Sequence, residues 1–211
     1  MTFHRPDQNG TPRDELFAPA TRVVEALVNA MEAKSPYLRG HSHRVAALAA
    51  SLATELRLPD EEIEAIRLAG TLHDVGKIGV REAVLDKPGR LTPDEFAHVK
   101  EHVAVGLHIL APLPHLALIM DYIAHHHERI DGSGYPAGLS GDAITLGGRI
   151  LAAADALDAL TSPRAYRDAL SLEAAIAKLE SLGTRGICPT VLPALLRLVS
   201  RGQVLVFIND A

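Results

Sequence analysis

The chain has 211 residues, enough to bury one good core, and its 47% hydrophobic and 22% charged residues are those of a folded globular domain. A net charge of -5 supplies no basic field for a DNA partner, and the single cysteine, Cys188, excludes an internal disulfide and fits a reducing, cytoplasmic setting. No apolar run has spanning length: the best, Leu116 to Met120, is short and flanked by His115 and Asp121, so no membrane association is expected.

Residues 1–18 hold Pro, Asn, Gly and Thr and read as a flexible leader; residues 19–211 read as one domain. From Pro19 to Lys34, Val23, Val24, Leu27, Val28 and Met31 recur at helical spacing, and Ser35-Pro36 breaks the pattern. A second helix is expected from about His41 to Leu56. Pro59 opens a third, with Asp60, Glu61 and Glu62 in the first turn, where carboxylates suit the helix dipole. That helix delivers His73-Asp74, and Gly76 and Gly79 loosen or end it.

Thr92-Pro93-Asp94-Glu95 is a capping box with proline at the first helical position, and the helix behind it should run to about Leu110. The next, from about Leu113, leads into His125-His126-His127. Residues 128–147 are rich in glycine and turn residues, a long irregular stretch of the kind that carries function. Helices at about 148–161, 171–182 and 190–200 complete an all-α bundle, and Val204 to Ile208 is prone to form a short strand.

Eleven histidines are unusual for this size, and neutral imidazole mixed with carboxylate is a ligand set for Fe, Mn, Zn, Co or Ni. His73 and Asp74 diverge by about 100° on a helix, so both reach one site only if it lies across the helix end. Asp74 has two oxygens and can bridge two ions. Lys77, three residues after Asp74, projects from the same side and can neutralise phosphate or protonate a leaving oxygen. Taken alone, a capping His with a surface Asp and Lys explains this motif as well. His126 and His127 stand where helix gives way to glycine loop, so both can turn inward; His125 is assigned to packing. Glu128 can fix a ligand tautomer or form a loop ion pair. His98 and His102 share a helix face, and spacing alone does not choose between them. His41 and His43 point apart, so at most one serves a site. Asp155 and Asp158 interrupt an apolar helix, either to meet a metal or as a solvated stripe. Arg164 and Arg167 offer two guanidinium forks for a phosphodiester, or a cation pair at a helix end.

Taken together these segments resemble the HD-GYP family of the HD metallohydrolases. The matching stretches are Tyr37 to Val45, Leu72-His-Asp-Val-Gly-Lys-Ile-Gly-Val80, Leu85 to Glu95, His102, His126-His-Glu-Arg-Ile-Asp-Gly-Ser-Gly-Tyr-Pro136 and Arg149 to Ser162. The resemblance covers about residues 19–200. It implies a helical HD bundle with a GYP loop between helices, and a phosphodiesterase that hydrolyses cyclic di-GMP to pGpG and in some members on to GMP. It implies His41, His73, Asp74 and Asp155 around one divalent ion and Asp74, His102, His126 and His127 around a second, with iron or manganese as the metal. Lys77 matches an active-site lysine, Arg164 and Arg167 match positions that contact substrate phosphate, and His43 and His98 match non-ligand positions. Tyr135 is expected to support the site rather than perform chemistry. Tyr37 stands where three-metal members carry a glutamate, so two metals are expected. Ser35, Ala165 and Cys188 also depart from common family residues without removing a ligand.

The mechanism expected from this set is a bridging hydroxide held by two metals about 3.5–4 Å apart that attacks phosphorus in line with the departing 3′ oxygen. Alternatives are hydrolysis of other nucleotides such as cyclic GMP-AMP, and a non-catalytic module that binds cyclic di-GMP or a protein; the intact ligand set argues against the last. Regulation is left to a homodimer interface or a partner protein.

Overall fold

A computed structural model describes residues 24–165, 167–183 and 187–204. Helix α1 occupies 24–32 of these. It is followed by α2 (His41–Glu55), α3 (Asp60–Leu72), α4 (Glu82–Leu85), α5 (Pro93–Leu110), α6 (Ala117–His125), α7 (Leu146–Thr161), α8 (Leu172–Ser181) and α9 (Leu192–Ser200). Short 3-10 turns at Pro36–Leu38, Val75–Gly79, Pro114–Leu116 and Gly141–Ala143 join them. No strand occurs among the described residues, in keeping with the all-α expectation. The leader lies outside the described residues, as do residues 205–208 of the tail read as β-prone. Helix α4, a single turn, had no periodic signal.

The helix starts are those the local chemistry dictates. Thr92 accepts from the Glu95 N–H while Glu95 accepts from the Thr92 N–H, which completes the capping box. Thr145 and Ser171 cap α7 and α8 with the N-cap bond alone, accepting from the Gly148 and Ala174 N–H groups. Helix α2 begins at Gly40, with φ of 69° and no side chain to cap with. Glu32 of α1 supplies the cap instead, accepting from Gly40 N–H at 2.7 Å and Ser42 N–H at 3.1 Å.

Helix α2 packs on α3 and α7, α6 packs on α3 and α7, and α5 lies along the Val75–Gly79 turn. The core between them is mainly Ala, Leu, Ile and Val: Val45, Leu52, Ile66, Leu72, Ile123 and Ile150 are fully covered. Small residues let the helices approach closely. At Gly70 an added Cβ would fall 2.6 Å from Ala46 Cα, so α2 and α3 meet there almost backbone to backbone. That contact stands one turn before His73 and sets where the end of α3 points. No described helix is long and apolar enough to cross a membrane.

Candidate metal centre

The site gathers at element ends. His41 is the first residue of α2, His73 caps the C-terminus of α3, and Asp74 precedes the 3-10 turn that holds Lys77. His126 caps the C-terminus of α6 and His127 follows it. His102 and Asp155 come from within α5 and α7. Because α3 stops at His73, the two neighbours are released from helical divergence and both face one place.

Asp74 is the hub. Its Oδ2 lies 3.3 Å from His41 Nε2 and 3.4 Å from His73 Nε2, and its Oδ1 lies 3.5 Å from His102 Nε2. Asp155 Oδ1 is 3.4 Å from His41 Nε2. Three groupings, His41/His73/Asp155, His73/Asp74/His126 and His102/His126/His127, each bring their ligand atoms within 4.8 Å of one another. The structure therefore brings together all seven residues expected to hold metal.

The tautomers follow from the partners. His73 Nδ1 is 2.7 Å from Gly70 O, His102 Nδ1 is 2.6 Å from Val99 O, and His126 Nδ1 is 2.6 Å from Ile123 O. A carbonyl only accepts, so each Nδ1 carries the proton and each Nε2 presents a lone pair. His41 instead gives its Nδ1–H to Asp158 Oδ2 at 2.7 Å. The Nε2 atoms of His41, His73, His102 and His126, together with Asp74 Oδ1, are buried without a hydrogen-bond partner. Buried polar atoms without partners are costly. Four of them converging with carboxylates is the donor set of a divalent transition-metal site, and the residues fit such ions.

Electrostatics support the same reading. Burial pushes the His126 imidazole down to about 3, and burial likewise holds His102 and His127 below the ordinary histidine value. These rings are neutral at pH 7, as ligands must be. Burial also acts to lower His41, but the hydrogen bond to Asp158 and the carboxylates of Asp74 and Asp155 outweigh it and lift the ring to about 9. Burial opposes ionisation of Asp74, yet Lys77 and the surrounding histidines hold its carboxyl well below the usual range. Lys77 Nζ donates to Asp74 Oδ2 at 2.5 Å.

The remaining histidines sort cleanly. His98 accepts from Arg81 N–H and lies 3.0 Å from Glu101, away from the cluster, which decides what spacing left open. His43 is exposed. His125 packs against Thr145, with Nδ1 3.1 Å from Oγ1.

Asp158 was open to a solvated reading; it is buried and anchors a network. Arg44 Nε donates to Asp158 Oδ1 at 2.6 Å, and Arg44 also reaches Ser162 Oγ at 3.2 Å. The pairing of Asp158 with His41 and Arg44 escaped prediction, because only the packing of α2 on α7 joins residues so far apart in sequence. Glu128 takes neither expected role. Its carboxylate accepts from Ala137 N–H at 2.7 Å and Leu139 N–H at 3.0 Å, folding the loop onto α6.

A family model of the HD domain matches residues 25–190. The chain is 39% identical, over 90% of its own length and 41% of the relative's, to the 3′3′-cGAMP-specific phosphodiesterase 3 of Vibrio cholerae. It is 39% identical, over 83% of its length and 48% of the relative's, to the cyclic di-GMP phosphodiesterase of Thermotoga maritima. The chain thus spans less than half the length of these relatives. An HDG"Y"P protein from Bdellovibrio bacteriovorus shares the fold, with a TM-score of 0.65 and 21% identity over 79% of this chain and 53% of that one. The chain belongs to the HD-GYP branch of the HD domain family.

In this HD-GYP domain the GYP loop lies directly on the centre. Tyr135 stacks on His127, centroids 4.7 Å apart at 29°. Two cavities meet the site. One of about 900 Å³ is lined by Lys77, Tyr37, Lys87, Arg90, Arg164 and Arg167 among largely apolar neighbours. The other, about 300 Å³, is lined by His126, His127, Asp155 and Tyr135. Arg167 spends three donors on the carbonyls of Leu160, Asp168 and Ala159, so it clamps the turn that carries Arg164. At the family departures, Ser35 Oγ is bonded to Asp86 at 2.5 Å, and Tyr37 and Ala165 line the larger cavity.

Proposed function

We propose that the chain is a metal-dependent phosphodiesterase that hydrolyses cyclic di-GMP to pGpG, with residues 19–211 as the catalytic domain. The observation that carries this is Asp74, whose two oxygens face different sets of buried imidazole nitrogens that have no hydrogen-bond partner. In this reading His41, His73, Asp74 and Asp155 hold one divalent ion, Asp74, His102, His126 and His127 hold the second, and both are iron or manganese. Such ions, when bound, supply Lewis acidity to the phosphoryl oxygens and lower the pKa of the attacking water.

The chain's own groups orient and discharge the substrate. Lys77 stands between Asp74 and the larger cavity, where its ammonium meets a phosphate oxygen or gives a proton to the departing 3′ oxygen. Arg164 lines the same cavity and balances phosphoryl charge, held there by the turn that Arg167 clamps. The mainly apolar remainder of that cavity suits sugar and base. A cytoplasmic cyclic dinucleotide pool is the matching substrate source. Cyclic GMP-AMP is the second reading, favoured by equal 39% identity to relatives named for either substrate.

The test is anaerobic reconstitution with Fe(II) or Mn(II), metal analysis, and chromatography of products from both cyclic dinucleotides. Wild type should hold two metal equivalents and release pGpG, and Asp74→Ala should lose both properties. An Asp74→Ala protein with full metal content and turnover would sink the assignment.

A further inference from the structure

We infer that Phe96 is a stacking platform for a nucleobase of the substrate, a step that rests on the cyclic-dinucleotide reading above. Phe96 lies on the first turn of α5, six residues before His102. Phe96 leaves 47% of its surface exposed. Burying a benzyl side chain is favourable by about 1.5–3 kcal/mol, so an exposed ring at the mouth of a charged site is a feature to explain.

Its position explains it. Among the described residues Phe96 alone lines both cavities. On one side is the basic cavity with Lys77 and Arg164; on the other is the bowl formed by His126, His127 and Asp155. A diester with one phosphate in the His126–His127–Asp155 bowl and the rest of its ring in the larger cavity lies across this residue. The ring also has two neighbours. Tyr135 meets it at 85° with centroids 6.1 Å apart, and Lys100 Nζ lies 5.3 Å from its centroid. Tyr135 in turn stacks on His127, so an aromatic series His127–Tyr135–Phe96 leads outward from the ligands. A rigid, exposed ring is the surface on which any base stacks without hydrogen-bond readout, and it costs little ordering entropy on binding. Recognition through stacking accepts guanine and adenine alike, so Phe96 sets affinity for the dinucleotide class rather than choice between bases.

The experiment compares metal-loaded wild type, Phe96→Ala and Phe96→Trp on cyclic di-GMP and cyclic GMP-AMP. Metal content and the inhibition constant of inorganic phosphate report on the centre itself. Phe96→Ala should raise KM for both dinucleotides about 5- to 150-fold, the span of base–aromatic stacking, with kcat, metal content and phosphate inhibition within about twofold. Phe96→Trp should restore KM. An unchanged KM in Phe96→Ala overturns the platform. So does parallel loss of metal or phosphate binding with no rescue by Trp, which makes the ring a prop for Tyr135. Wild type that holds metal and binds phosphate but turns over neither dinucleotide overturns the substrate reading, and the platform with it.

Discussion

Replacing Gly76 by alanine should open the centre without touching a ligand. Gly76 stands in the 3-10 turn between Asp74 and Lys77, pressed against α5. A Cβ there would lie 1.9 Å from the His102 carbonyl oxygen, 2.5 Å from Gly106 N and 2.8 Å from His102 C, whereas real Cβ atoms keep beyond 3.0 Å. All three neighbours are backbone, so no side chain can swing aside and the turn must separate from α5 by about 1 Å. Overpacking of this kind costs about 1–3 kcal/mol and here belongs at the upper end. Alanine recovers about 0.4–1 kcal/mol by stiffening the unfolded chain, leaving a net loss of about 2–2.6 kcal/mol, or roughly 4–10 °C in Tm for a domain of this size. The displacement falls between Asp74 Oδ1 and His102 Nε2, which are 3.5 Å apart, so metal held by His102 should be lost first. The assay is thermal unfolding of metal-free protein, where ligand linkage does not contribute, followed by metal titration. Gly79→Ala is the control, since its Cβ would meet only Val105 methyls at 3.5 Å. A Gly76→Ala protein that melts with wild type and binds metal with the same stoichiometry would refute the reasoning.

Asp158→Asn keeps the size of the side chain but weakens the grip on His41 and Arg44; apparent metal affinity should fall about 10- to 100-fold, measured by chelator competition, with dinucleotide contacts intact. Metal-free protein should lose stability in acid. Although burial raises the Asp158 carboxyl, His41 and Arg44 hold it at about 2, below its ordinary 3.8. Its contribution is therefore full above about pH 4 and lost as pH falls through 2, to be read from urea unfolding as a function of pH. His41 has the opposite sign. With the ring lifted to about 9, its contribution is full below 6.5 and lost as pH rises through 9. Metal needs the neutral ring, so binding should release a proton at pH 7 and affinity should climb with pH until about 9. Calorimetry in buffers of different ionisation enthalpy would show it; a proton count of zero would refute it.

Much of the fold was legible because its signals are local. The Thr92 capping box, the Asp60–Glu62 first turn and the glycines after His73 mark helix ends whatever the rest of the chain does. The candidate ligands were legible for a different reason: their types and order resemble a family pattern, and the structure brings the named side chains together. Spacing alone did not separate His98 from His102, since both lie on one helix face; the family pattern did, and in the structure His102 faces Asp74 while His98 meets Arg81 and Glu101. Glu128 was read as a partner for a histidine or an ion pair, and instead it ties down two loop amides, a role set by where residues 137 and 139 return.

The sequence by itself determined that the chain is helical and that it carries imidazole and carboxylate in an order suited to divalent metal binding. Helix periodicity, capping and ligand chemistry act within a few residues or are properties of the side chains themselves. Only the tertiary structure decided that Asp158 grips His41 across 117 residues, that Arg167 is spent on carbonyls, and that Phe96 stands between two cavities. Those roles depend on which helix faces meet, and close backbone approaches such as Gly70 on Ala46 and Gly76 on His102 set that meeting. No periodicity in the chain records it.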